Sequence, residues 1–130
     1  MHEDLRDVYS RDVVSFPLVI KGYEVRKGVK VGGFDVSLDV QKVVRNHIQR
    51  FFVVVKSTEV APKLEAEYLA EVNSLRKGLG IHVYLAVVND VAKKIALSKE
   101  LAEKMDFPDE EYALEFFVLP PMPKLPGLGR

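Results

Sequence analysis

The sequence predicts a mixed α/β (α+β) domain, a central mixed sheet flanked by helices. Three observations predict it. Phe34, Val36, Leu38 and Val40 alternate with Asp35, Ser37, Asp39 and Gln41, the period of a half-buried strand. Two near-continuous apolar runs, Phe51–Lys56 and Ile81–Val88, have the composition of strands covered on both faces. Between them, Leu64, Tyr68, Val72 and Leu75 recur at helical spacing over Pro62–Lys77. Strands first, then strand–helix–strand, is the order of a sheet with a crossover helix.

Taken from the N-terminus, residues 1–15 are polar and read as an arm or short helix. Ser15-Phe16-Pro17 has the pattern of a helix start, with Ser15 as cap and Pro17 in the first turn. Gly22 stops the apolar stretch Leu18–Ile20. Tyr23–Arg26 and Val29–Val31 are short strands about Lys27-Gly28, and the alternating strand follows. Asn46-His47 makes a turn into Phe51–Lys56. The helix takes Pro62 in its first turn, and Gly78 stands where a left-handed terminus is wanted. Asn89-Asp90 turns the chain after the second apolar strand, and Ser98 caps a short helix reaching Met105. Asp106–Glu111 is an acidic loop and Tyr112–Leu119 a last strand. Residues 1–119 are expected to form one domain with a short N-terminal arm. The Pro-rich tail, 120–130, cannot join a sheet interior.

Composition narrows the function classes. The 130 residues include no cysteine, so disulfides, thiolate catalysis and Cys-based zinc sites are excluded. Three scattered histidines make a poor metal set, and neither cofactor nor metal is expected. The longest apolar run is far too short to span a bilayer, and the charged N-terminus is unlike a signal peptide. A reducing, cytoplasmic setting is expected. Net charge is zero, but unevenly spread. Between Lys21 and Lys56 eight basic residues face three acids, whereas between Glu100 and Glu115 seven acids face one lysine. Such a chain can meet a polyanion with one end and a basic protein surface with the other.

The segment Gly22-Tyr23-Glu24-Val25-Arg26-Lys27-Gly28-Val29-Lys30-Val31-Gly32-Gly33 resembles the archaeal tRNA-splicing endonucleases. There a short helix leads into a Gly-Tyr-x-Val-basic-x-Gly hairpin. The resemblance continues at Asn46-His47 before Phe51–Val55. It resumes at Val72-Asn73-Ser74-Leu75-Arg76-Lys77, similar to the family's Asn-Ser-Val-Arg-Lys helix end, and at Tyr84–Asp90. It implies a C-terminal domain with the tRNA-intron endonuclease catalytic fold. That family cleaves RNA without metal, using the substrate 2′-hydroxyl as nucleophile. Tyrosine is its general base, histidine its general acid, and a lysine stabilises the phosphorane. Carried over by position, His47 would be the acid and Lys77 the stabiliser. The tyrosine's place is held by Leu38 in one register and by Asp39 in the other, and neither is a phenol. Tyr23, Tyr68 and Tyr84 lie elsewhere and read as core or edge aromatics.

The resemblance with that gap implies a structural, non-catalytic subunit of a two-fold hetero-oligomer. Precursor tRNA would contact Arg26, Lys27, Lys30, Arg45, Arg50 and Arg76. A catalytic partner would dock on Asp106, Asp109, Glu110 and Glu111, and on a pairing strand carrying Phe116 and Phe117. A rival reading is a restriction-endonuclease-like or Holliday-junction-resolvase-like nuclease. "VVVKST" from Val53 would then supply Lys56, and Asp39 would bind Mg²⁺. The second carboxylate of that motif is missing, because position 54 is valine; Glu59 or Glu65 would have to replace it. A third reading is a protein-interaction module without catalysis.

Overall fold

Three successive strands form an antiparallel meander in the computed structural model, which describes residues 5–89, 91, 94–105 and the backbone of 111–113. They are β1 (Glu24–Val31), β2 (Phe34–Val44) and β3 (His47–Ser57). Helix α1 (Leu5–Ile20) precedes them, and α2 (Ala66–Leu79) carries the chain from β3 to β4 (Val83–Asn89), which lies parallel to β3. β5 (Lys94–Leu97), α3 (Lys99–Lys104) and β6 (Glu111–Ala113) complete a six-stranded sheet in the order β1-β2-β3-β4-β5-β6. The architecture is mixed α+β, with a mixed central sheet and helices on both faces.

The two faces of β3 seed two cores. Phe51 and Val53 pack with Leu38, Val40, Tyr84, Ala86 and Ile95 under Val13, Val14 and Leu18 of α1 and Leu101 of α3. Phe52 and Val54 pack with Leu85 and Val87 under Val72 and Leu75 of α2. This double coverage explains the unbroken apolar run of β3 and of β4, every residue of which is buried.

Several elements depart from the sequence reading. Ser15 caps no helix. It sits inside α1, with its hydroxyl donating back to the Asp12 carbonyl at 3.1 Å, and Pro17 lies in the last turn. The helix extends back to Leu5 because Val13, Val14 and Leu18 form one buried stripe, and that burial outweighs the hydrogen bond Pro17 forfeits. The turn into β3 is Arg45-Asn46, both with positive φ (52° and 69°), the two-residue hairpin geometry that asparagine tolerates well. α2 ends at Gly80 (φ 67°), whose N–H caps the Arg76 carbonyl at 2.8 Å. Gly78 is inside the helix, and its reason is contact: a Cβ there would lie 2.5 Å from the Phe34 ring.

The alternation of β2 also breaks. Phe34 and Val36 join the core under α2, whereas Leu38 and Val40 join the core under α1. The break falls at Ser37. Opposite it, Gly28 is left-handed (φ 59°), and the Ser37 hydroxyl takes the Val55 N–H at 3.0 Å. The β1–β2 tip thereby folds onto the end of α2. β5 has no counterpart in the sequence reading. Of the last strand expected over Tyr112–Leu119, the described backbone covers Glu111–Ala113, with Tyr112 opposite Ile95. Asp106, Asp109, Glu110, Phe116 and Phe117 lie outside the described residues, as does the tail.

Candidate functional site

Among the described residues a charged cluster lies on the α2 face of the sheet, where three strands carry one acid and two bases. Asp39 of β2 is opposite Arg26 of β1 and Phe52 of β3, and its side chain is 0% exposed. Arg26 Nη2 donates to Asp39 Oδ2 at 2.7 Å. Arg50 grips the same carboxylate bidentately through one edge of its guanidinium, Nε to Oδ1 at 3.0 Å and Nη2 to Oδ2 at 2.9 Å. Burial alone would raise the carboxyl's pKa. The hydrogen bonds and charges of Arg50 and Arg26 outweigh that and hold Asp39 below the ordinary carboxylate value.

Arg50 also lies over Phe52, its guanidinium carbon 4.9 Å from the ring centre. Beyond it opens a cleft of about 390 Å³ lined by Arg50, Arg76, Gly80, Ile81 and His82. Arg76 enters from the last turn of α2, with Nε donating to the Val83 carbonyl at 3.0 Å and Nη1 3.5 Å from Asn73 Oδ1. His82 stands exposed on the lip, its ring nearly parallel to Tyr84 (7°, centroids 6.2 Å apart). Past the cleft, β2 and β3 continue as a two-stranded ribbon that neither β1 nor β4 flanks. It presents the cross-strand pair Val43 and Ile48, 68% and 67% exposed.

The structure thus brings together Arg26, Arg50 and Arg76 from the predicted RNA-binding set, the first two through Asp39 and the last two around one cleft. Lys27 is held elsewhere by Asp12 of α1 at 2.6 Å. Lys30 lies 3.8 Å from Asp35 on the β1–β2 hairpin, and Arg45 sits at the β2–β3 turn. His47 opens β3 opposite Val44, and Lys77 is in the last turn of α2; both are exposed. His47 lies five residues before Phe52, about 16 Å along the strand, while α2 returns to the sheet beside Phe52. Among the described residues no hydrogen bond or ion pair joins His47 and Lys77. Leu38, in the tyrosine's place by one register, is fully buried under α1. Asp39, its place by the other, is the doubly held carboxylate.

Tyr23 and Tyr84 pack on Phe51 at 5.6 and 5.3 Å between ring centroids, and Tyr68 is 5.7 Å below Lys56 Nζ. Burial, and then Glu100, push the Tyr84 phenol up. As for the rival metal site, Lys56 is paired with Glu71 at 2.7 Å and Glu59 with Arg6 at 2.9 Å, while Glu65 stands at the N-cap of α2. Among the described residues no group of three or more His, Asp or Glu is placed to hold a metal ion, and no helix is long and apolar enough to cross a membrane.

Sequence reasoning singled out both cleft arginines but missed Gly80, Ile81 and His82. The available signal was a histidine between a helix-ending glycine and a buried strand. Comparison with models of protein families, with characterised proteins and with solved structures gives no match.

Proposed function

We propose that this chain is a non-catalytic, RNA-contacting structural subunit of a tRNA-splicing endonuclease, with the tRNA-intron endonuclease catalytic-domain fold. The observation that carries the reading is the occupancy of the general base's place. Leu38 is sealed in the core, and Asp39 is an ionised acceptor already bound by two guanidiniums, so neither can take a proton from a ribose hydroxyl. A missing positioned base costs on the order of 10²–10⁴ in rate. Precursor tRNA would lie across Arg26, Arg50 and Arg76, whose phosphate contacts position the substrate without reading its sequence. The acidic segment holding Asp109, Glu110 and Glu111 would dock the catalytic partner.

The test is reconstitution. Purified chain, a candidate catalytic subunit, and the two together are assayed on a bulge-containing precursor tRNA in EDTA. Cleavage only by the mixture supports the reading; Mg²⁺-dependent cutting of branched DNA by the chain alone replaces it with the metal-dependent nuclease. A specific observation favours a second reading, the non-enzymatic interaction module: the cross-strand pair Val43 and Ile48 leaves two large apolar side chains exposed side by side, the kind of surface a protein partner could cover. Under that reading the mixture is silent, and Ile48→Lys abolishes association with a protein partner while RNA binding is absent.

A further inference from the structure

We infer that the cleft between the end of α2 and β3 binds a phosphate ester, the phosphate of a single-stranded nucleic-acid segment, with Arg50 and Arg76 as its ligands. The inference deepens the proposed function, whose RNA it seats. Each arginine is held by one edge and open on another. Arg50 spends Nε and Nη2 on Asp39 and rests on Phe52, leaving Nη1 without a hydrogen-bond partner among the described residues. Arg76 spends Nε on the Val83 carbonyl and contacts Asn73 through Nη1, leaving Nη2. A guanidinium already fixed loses little further freedom on meeting an anion, and its fork matches phosphate oxygens.

Charge decides the ligand's sign. Three guanidiniums, those of Arg26, Arg50 and Arg76, stand against the single carboxylate of Asp39, and none of the described lining residues is acidic. The C-terminal end of α2 opposes this with a partial charge of roughly half an electron, which leaves the site cationic. Size and surroundings decide the ligand's class. About 390 Å³ falls in the range of small-molecule sites and is ample for a phosphate group and its adjoining sugar. His82, exposed on the lip beside Tyr84, offers a ring face on which an adjoining base can stack.

The experiment titrates the full chain, without any partner, with inorganic phosphate, a ribonucleoside monophosphate and a short single-stranded oligoribonucleotide, following arginine side-chain and backbone N–H resonances. The expected result is a joint shift of Arg50 Nε–H, Arg76 Nε–H and the amides of 80–82, with affinity rising from phosphate to oligonucleotide. Arg76→Gln should weaken oligonucleotide binding on the order of tenfold and reduce the log–log salt slope by about 0.7. His82→Ala, at an exposed position, should weaken the oligonucleotide by a larger factor than inorganic phosphate. Unaltered affinity in Arg76→Gln, shifts confined to Lys27, Lys30 and Arg45, or no shift with any ligand overturns the assignment. Because no partner is present, a failure here is separate from a failure of reconstitution: cleavage by the mixture without binding in the cleft removes the cleft alone.

Discussion

Phe51 and Phe52 are consecutive, yet they belong to differently built halves of the molecule. Phe51 is enclosed by Tyr23, Tyr84 and α1, and Lys104 closes over its ring at 5.3 Å. Phe52 is equally buried, but its cover near the end of α2 is Arg50, with Asp39 and Arg26 behind. The α1 face is sealed by aliphatic and aromatic contact. The α2 face is sealed by apolar contact only as far as the helix reaches, and there a buried carboxylate held by two part-exposed guanidiniums takes over beside an open cleft. This fold can carry function without losing its core at the margin where apolar cover stops and paired charge begins.

The largest effect should come from Asp39. Asp39→Asn leaves two arginines facing each other without their counter-charge and should cost about 3 kcal/mol, measured by urea denaturation at neutral pH. Its pH dependence has a definite sign. Because the folded-state pKa is depressed, the carboxylate's contribution is present above the ordinary carboxylate value and fades as pH falls through the lowered one. Wild type and Asp39→Asn should therefore converge in stability at acid pH. A constant gap would show that charge is not what joins β1, β2 and β3 there.

Next in size is Leu38→Tyr, which tests the proposed function by putting a phenol at one of the two positions the resemblance offers for the general base. In a fully buried slot under α1 it should cost about 2 kcal/mol by overpacking and confer no RNA cleavage. Metal-free cleavage by this variant would reverse the contrast between the faces.

A smaller loss separates helix propensity from contact. An exposed helical Gly→Ala gains about 1 kcal/mol. Gly78→Ala should instead lose about that much, since its Cβ meets the Phe34 ring. In a Phe34→Ala background the sign should revert, and a double-mutant cycle reads the coupling. Least affected is the Lys56–Glu71 pair, part-exposed on the α2 face, where Lys56→Gln should change stability by less than about 1 kcal/mol in thermal melts. A larger loss would give that lysine a role the ion pair does not explain.

Strand existence was legible where burial was uniform. β3 and β4 are covered on both faces, so their runs of valine, leucine and phenylalanine point to strands wherever the helices lie. β5 was not legible: four residues, Lys94–Leu97, carry no period long enough to read, and pairing with β4 makes them a strand. The break at Ser37 was equally hidden, because serine fits the polar face of an alternating strand. Only the fold brings its hydroxyl to the Val55 N–H.

Composition and pattern alone determined a cysteine-free chain with a crossover helix between two buried strands and a basic front, because periodicity and charge are local properties of the chain. Tertiary structure decided which charges survive as a site. Arg26, Lys27 and Arg50 look alike along the sequence. Sheet register places the first and third on one buried carboxylate and the second against Asp12 of α1, since a single residue step along a strand reverses the face it serves.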